Sequence, residues 1–392
     1  MPLTPFDEML CHQIATTFDH VDSSDHRFFD RTFFGMFAPD GSVGVVTGMA
    51  SYNNTNTFEG YAAIHHSGRQ YNLRLARPLR PEMQVLEVGP LAHKVLEPLS
   101  RLQLTLGPNA SGCSFELTWE GVIPPHEELH HYQRAQGRAV QDFRRFDQAG
   151  RVSGWVNICG IQVSVPDWFG ARDHSWGVRA GMGGYEPVTE TPRDVGDPRN
   201  SFLVIWLEFA TEKWAGHIQV REDGAGRRRY FNGFVQERSG ASNRYEAVDV
   251  SIGPISFHPG TAAYSNAQLH ITTDEGSTWD IDAYPLATAW AYRGAGYDGG
   301  YNDGRGLGVF RGHVVEHDVY DVSDVEKVRS VEDDRELHPG HREQPVRLTL
   351  NGESGFGHMP IGFSGLIPRY GLEQLPAQGI RRVGPFGSVL EA

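Results

Sequence analysis

The sequence predicts an all-β protein built from two tandem antiparallel β units, each a barrel or a sandwich. Three observations predict it. Glycine (46 residues) and aromatic side chains (11%) are abundant, a bias that suits strands and tight turns. From residue 28 onward, short β-prone runs are separated by turn dipeptides. No long amphipathic helix and no short-period repeat breaks that pattern. At 392 residues the chain exceeds one ordinary core, so two domains are expected.

The first unit begins as a meander. FFDRTFFGMFA is followed by Asp40-Gly41, SVGVVTGMASY by NNTN, and TFEGYAAIHH by Ser67-Gly68 and RQYNLRLA. Such punctuation between β-prone runs marks hairpins. Further strands are expected at 83–88, 101–106 and 113–121. Residues 126–146 read differently. Leu129, Tyr132, Ala135, Ala139, Phe143 and Phe146 recur every three or four positions, which suggests a short helix or an irregular crossing segment broken at Gly137. Strand patterning returns at RVSGWVNICGIQVSV. Residues 181–200 hold three prolines and four glycines and read as a loop. The boundary is placed there, giving domains of residues 1–185 and 186–392. In the second unit SFLVIWLEF is apolar on both faces and should be central. WAGHIQVRE and RRRYFNGFVQE alternate, and AQLHITTD, STWDIDAYPL, GVFRGHVVEHDVYDV and PVRLTLNG follow.

The formal net charge is −14. That disfavours nucleic acid, which needs a cationic surface, and disfavours anionic lipid. The three cysteines, Cys11, Cys113 and Cys159, form no C-x-x-C pair, so a reducing compartment is expected rather than a disulfide framework. No secretory leader and no membrane-spanning apolar stretch is seen. The expected setting is the cytoplasm, the expected partner a hydrophobic small molecule, and a homodimer is compatible with the sequence.

Several motifs need weighing. His126-Glu127-Glu128-Leu129-His130 is a literal H-E-x-x-H. A zinc protease needs both histidines on one helical face and a third ligand. Positions 133 and 136 are Gln133 and Gln136, and the next glutamate after Glu128 is Glu186. The segment therefore reads as a polar connector, with no metal assigned. A zinc hydrolase using His126, Glu127 and His130 stays as a third reading. Gly294 to Gly299 fits G-x-G-x-x-G, but Gly300-Tyr-Asn-Asp-Gly304 follows and will not start a helix, so it reads as a loop. No G-x-S-x-G elbow and no phosphate-binding G-x-x-x-x-G-K-[ST] loop is present.

GARDHSWGVR, residues 170–179, is the densest chemical segment. If extended, Asp173, Ser175 and Gly177 face one side and Arg172, His174, Trp176 and Val178 the other. Read by itself, an Asp173–Arg ion pair and a satisfied buried His174 explain it as well as an active site does.

Together with QAGRVSG (148–154) and Gly160, this stretch resembles the R-D-H-S-W-G signature of a lipocalin-like superfamily. That superfamily includes hydroxyneurosporene synthase (carotenoid 1,2-hydratase), AttH-like proteins and, more distantly, tocopherol cyclase and some fungal Diels–Alder cyclases. The resemblance implies two tandem lipocalin-like units with a mostly apolar pocket within or between them. It also implies chemistry without a cofactor: water added to an isolated alkene, or rings closed on long apolar substrates of terpenoid type. On this resemblance the H-E-x-x-H is accidental. Carotenoid hydratases carry D-H-N-W-G where this chain has Ser175, so a carotenoid substrate does not follow.

Under that reading Asp173 is the acid or orients it, and His174 is its partner or positions a water. Trp176 offers a π face to a developing cation. If Arg172 or Arg179 pairs with Asp173, the carboxyl falls in pKa, and Arg179 is instead a substrate-anion or structural residue. Glu316 and His317 are candidates across the cavity, and His358 is a further one. The expected function is a metal-independent hydratase, lyase, cyclase or isomerase; the alternative is a carrier that holds an apolar ligand without turnover.

Overall fold

The computed structural model describes residues 3–184 and 197–372, apart from 9, 11, 13, 136, 240–242, 260, 288, 289, 298 and 338–341. Among them there is no α-helix, only strands and short 3-10 turns. No helix is long and apolar enough to cross a membrane. The expected all-β architecture is what the chain adopts.

The predicted meander forms as read. Strands Phe28–Phe37, Val43–Tyr52, Thr57–His66 and Arg69–Pro78 pair in sequence. Ser67 and Gly68, both with positive φ, make the last of these turns. Two long strands, Arg138–Ile158 and Ile161–Arg179, pair along nearly their whole length. The second of them lies against Phe28–Phe37. Strands Cys113–Gly121, Arg101–Leu106, Leu91–Glu97 and Glu87–Val88 extend the sheet on the other side. The sheet then curls back on itself: a Cβ added at Gly60 would lie 2.5 Å from Val88 Cγ1. Its concave face holds one core, running from Phe34 and Met36 through Leu73 and Leu75 to Leu104, Phe115 and Trp119.

Of the two readings given for 126–146, the helical one is corrected. His126–Glu127, His131–Ala135 and the start of Arg138–Ile158 are strands. Gly137, at φ +82°, turns 131–135 back onto 138–143 as a hairpin. The three-to-four spacing was two strand faces joined through an irregular turn, not one helical stripe.

The second unit is a closed eight-stranded barrel. Phe202–Thr211 pairs with Trp214–Glu222 on one side and with Glu353–His358 and Ile361–Ser364 on the other, which seals the ring. SFLVIWLEF is central, as expected. Its Leu203, Ile205, Leu207 and Phe209 fill the barrel, while Trp206 and Glu208, also buried, face outward onto the first unit.

The proposed division at 185/186 falls outside the described residues. One later segment crosses between the units: Val314–Asp321 adds to the edge strand Arg69–Pro78, and Val328–Ser330 and Glu336–Leu337 follow it. Buried Arg74 holds that junction, 2.7 Å from Asp318. Between the barrel and this excursion, residues 290–297 and 299–313 cross the convex face of the first sheet as a strap. Gly294 belongs to it, and a Cβ there would lie 2.1 Å from Asn72 Oδ1. The G-x-G-x-x-G glycines thus serve close backbone packing; Asp298 within the motif lies outside the described residues.

Candidate active site between the two units

The convex face of the first sheet is buried, and it is polar. Alternation brings Arg145, Asp147 and Ala149 of one strand beside Ala171, Asp173 and Ser175 of the next, and those beside Arg31 and Phe33. Three barrel strands supply the opposite wall: Trp206 and Glu208, then His217 and Gln219, then Tyr230, Asn232 and Phe234.

At the centre lies an acid-rich cluster. His217 bridges it, with Nδ1 2.6 Å from Glu208 Oε1 and Nε2 3.2 Å from Glu128 Oε1. Arg145 donates to Glu128 at 3.0 Å and stands 3.6 Å from Asp147 and 3.7 Å from Asp173. It also bonds Gln219, and His131 bonds Glu128. Tyr230 Oη donates to Glu128 at 3.2 Å, and Trp206 Nε1 to Asp147 at 3.2 Å. Glu128, Asp147, Glu208 and His217 are all sealed from solvent.

Four carboxyls thus share one guanidinium, Arg145, and two imidazoles, His131 and His217. Burial penalises charge, so such a group cannot be fully ionised. Burial tends to raise Glu128, yet Arg145, His131 and His217 outweigh it and hold the carboxylate well below its usual range. Asp147 is driven well above its range, by burial and then by Glu128, against Arg145. Glu208 is raised to about 7 by burial, against His217. Burial lowers His217, but Glu208 and Glu128 prevail and bring it to about 8. Asp173 is raised by burial over the opposing Arg145, Arg179 and Arg31.

Beside this cluster runs a narrow aromatic cavity lined by Phe33, Val46, Tyr61, Ala63, Tyr292, Ala295, Tyr297 and Glu343. Arg31 lies in its floor between the rings of Tyr61 and Tyr297, at 4.7 and 4.8 Å. Trp206 separates cavity from cluster. Its ring is 6.3 Å from Phe33, 5.8 Å from His358 and 6.1 Å from His217. Beside the cavity, the buried atoms Tyr61 Oη and His358 Nδ1 have no partner among the described residues.

The sequence candidates divide. Asp173 lies in the site, and Arg179 reaches it by donating to Tyr297 Oη at 3.1 Å. His358, ranked last from sequence, is fully buried beside the cavity and pairs with Glu343. His174 points to the other face of the sheet, where it bonds Asp30 at 2.6 Å. It is not brought to Asp173, because adjacent strand residues face opposite ways. Arg172 and Trp176 share that far face, so neither Arg172 nor Trp176 meets Asp173. Glu316 accepts from the backbone of Asn302 in the strap at 2.9 Å, and His317 is exposed; neither lines the cavity.

The H-E-x-x-H residues do not converge. His126 lies between Asn232 and Arg244, while Glu127 and His130 pair at the surface with Arg144 and Asp142. The same segment nevertheless contributes Glu128 and His131, which the motif treats as filler or ignores. Glu128, Asp147 and His217 offer ligand atoms within 4.8 Å of one another and could gather a metal ion. Arg145 already occupies that face of Glu128, so a cation there would meet a guanidinium. Sequence reading missed Glu128, Arg145, Asp147, Glu208 and His217. The available signal was a charged residue inside an apolar run, as in SFLVIWLEF and WAGHIQV.

A family profile matches residues 3–360 and is described as a family of unknown function (DUF8625). The chain belongs to that family. No curated protein matches it. Among solved structures the family member resembles an AttH-like protein of Nitrosomonas europaea, at 13% identity and TM-score 0.50, over 92% of this chain and 98% of that one. Kievitone hydratase of Nectria haematococca matches at 8% identity, 93% and 96% coverage and TM-score 0.44. CghA, solved with Sch210972, matches at 11% identity, 87% and 89% coverage and TM-score 0.43. At these identities the likeness to AttH is one of fold.

Proposed function

We propose that this protein is a cofactor-independent acid–base enzyme acting on a hydrophobic small molecule held between its two β units. One observation carries the reading: Asp147 and Asp173 stand directly opposite each other on adjacent strands, both with raised pKa, and Arg145 reaches both. Opposed residues have Cβ atoms about 5 Å apart. Two carboxyls in that register, shielded from water and flanked by one shared guanidinium, bind protons more readily than free carboxyls do.

Asp173 is the working acid. Its side chain is 18% exposed, against 0% for Asp147 and Glu128. Asp147, in contact with Trp206 and close to His217, holds the reserve proton. The aromatic cavity has room for about one water as it stands, so Tyr292 and Tyr297 have to move to admit a substrate, and the π faces around it then suit a developing cation. Alkene hydration, acid-initiated isomerisation and cationic ring closure begin with such a proton transfer to carbon; the lyase reverse of hydration begins with protonation of the departing hydroxyl and ends with a proton lost from carbon. The R-D-H-S-W-G resemblance supports this class, with His174 now outside the reacting centre.

The test uses the purified protein and a lipid extract of its source cells in H2(18)O or D2O. Wild type should form labelled products. Asp147→Asn and Asp173→Asn should lower that turnover at least ~100-fold, the typical worth of a positioned acid, while native mass spectrometry shows the same organic adduct retained. Adduct without label in wild type would identify a carrier. Full turnover in both variants would remove the carboxyl pair from the mechanism.

A further inference from the structure

The interface chemistry leaves one face of the R-D-H-S-W-G segment unused. Alternation turns Arg172, His174 and Trp176 toward the open end of the first unit's interior. Arg172 is 5% exposed, yet no carboxylate acts on it. Its Nε and Nη2 both donate to Gln148 Oε1, at 3.0 and 2.6 Å, and no acceptor among the described residues takes Nη1. Its guanidinium lies 4.5 Å from the Trp119 ring and 5.1 Å from Phe146. Burial alone acts on it and brings it down to about 10.

Two more polar atoms in this interior are orphaned, His93 Nε2 and Trp119 Nε1. Their residues are 6% and 0% exposed, and the Phe34 ring lies 5.5 Å from one and 6.1 Å from the other. A buried cation without a counter-charge is costly, and so is each unpaired donor. Above them, the tip of the hairpin at 95–100 exposes Val95, Leu96 and Leu99. Leu99 O accepts from Gln148 Nε2 at 3.1 Å, which ties that apolar tip to Arg172's own partner. The nearby Asp30 carboxylate is answered by His174.

We propose that this end of the first unit is a second ligand site, which takes the carboxylate of an amphipathic monocarboxylic acid on Arg172. The uncompensated Arg172 and the unpaired donor Trp119 Nε1 favour an anion, and Phe146, Trp176 and the hairpin tip cover its apolar body. The site is separate from the cavity between the units and does not depend on turnover there.

Dodecanoate and dodecanol are the probes, followed by tryptophan fluorescence and native mass spectrometry of the full chain. Dodecanoate should bind one per chain, at least tenfold tighter than dodecanol. Arg172→Met should reduce it to the level of dodecanol. Because that variant removes a buried stacked group, wild type carries a second arm: a dodecanoate bearing a terminal diazirine is photolysed and its adducts mapped. Adducts at 95–99, 146 or 176, where the apolar end would lie, support the site. Adducts at 292–297 or 343, equal binding of the alcohol, or no binding at all would overturn it.

Discussion

Arg145 is the residue on which the interface cluster depends. It contacts Glu128, Asp147, Asp173 and Gln219, and its charge is what keeps Glu128 ionised among three other acids. Removing one member of a buried ion pair leaves an uncompensated charge. Arg145→Met should therefore cost about 3–5 kcal/mol, read as a lower urea midpoint at unchanged slope. Asp147→Asn should behave differently. Asp147 is held protonated by burial and by Glu128, so its amide imitates the native state. That variant should stay within ~1 kcal/mol of wild type while losing turnover. Equal destabilisation by both would mean that Asp147 is ionised and purely an ion-pair partner. The R-D-H-S-W-G residues were visible in sequence because they are contiguous, and their two-faced alternation was correctly anticipated. Glu128, Glu208 and His217 were not, because their chemistry arises only when two barrel strands meet the connection that follows His126–Glu127.

The strap is the element that closes the cavity. Tyr292, Ala295 and Tyr297 line the cavity from above, and Glu59 pins the far end. The Glu59 carboxylate accepts from Gly308 N at 3.1 Å and from Arg311 Nη1 at 3.0 Å. Gly308 is needed there: its φ is +70°, and a Cβ would lie 2.4 Å from the Tyr52 ring. Burial raises Glu59 from 4.5 to about 7 despite Arg311 and the Gly308 amide. A raised carboxyl pKa means that the folded state holds the proton more tightly. Its contribution is fully present below about 4.5 and is lost as pH rises through about 7. Glu59→Gln, which cannot titrate, should flatten that dependence. The stability of wild type relative to Glu59→Gln should fall by on the order of 3 kcal/mol between pH 5 and pH 8, measured by urea unfolding at both. Parallel curves would show that Glu59 is ionised throughout. No sequence signal marked this strap except its glycines, which imitate a nucleotide loop and in fact allow a close crossing over Asn72 and Tyr52.

At the scale of the whole molecule, the contact between the units is built like a core. Phe33, Phe37, Val46, Ala149, Phe169 and Ala171 of the first sheet join Trp206, Ala215 and Phe234 of the barrel in one buried cluster. The Val314–Asp321 strand also hydrogen-bonds the later half of the chain into the first sheet. The two units should therefore unfold together. Calorimetry should show one transition, with calorimetric and van't Hoff enthalpies in agreement. Two well-separated peaks would mean that the interface contributes little and that each unit is stable alone.

By itself the sequence determined the all-β class, the order of most strands, the meander turns and the central place of SFLVIWLEF. Those are local properties: period-two patterning, turn dipeptides and apolar runs are written in neighbouring residues. Of the two readings of 126–146, a short helix or an irregular crossing segment, the helix failed because a hairpin with an irregular turn imitates helical spacing. Closure of the barrel, the return of residues 314–337 to the first sheet and the meeting of Glu128, Asp147, Asp173, Glu208 and His217 were decided only by tertiary structure. Each depends on pairings between residues far apart in the chain. The raised acids depend on them as well, since desolvation comes from the surfaces that pack around a carboxyl and not from its neighbours in sequence.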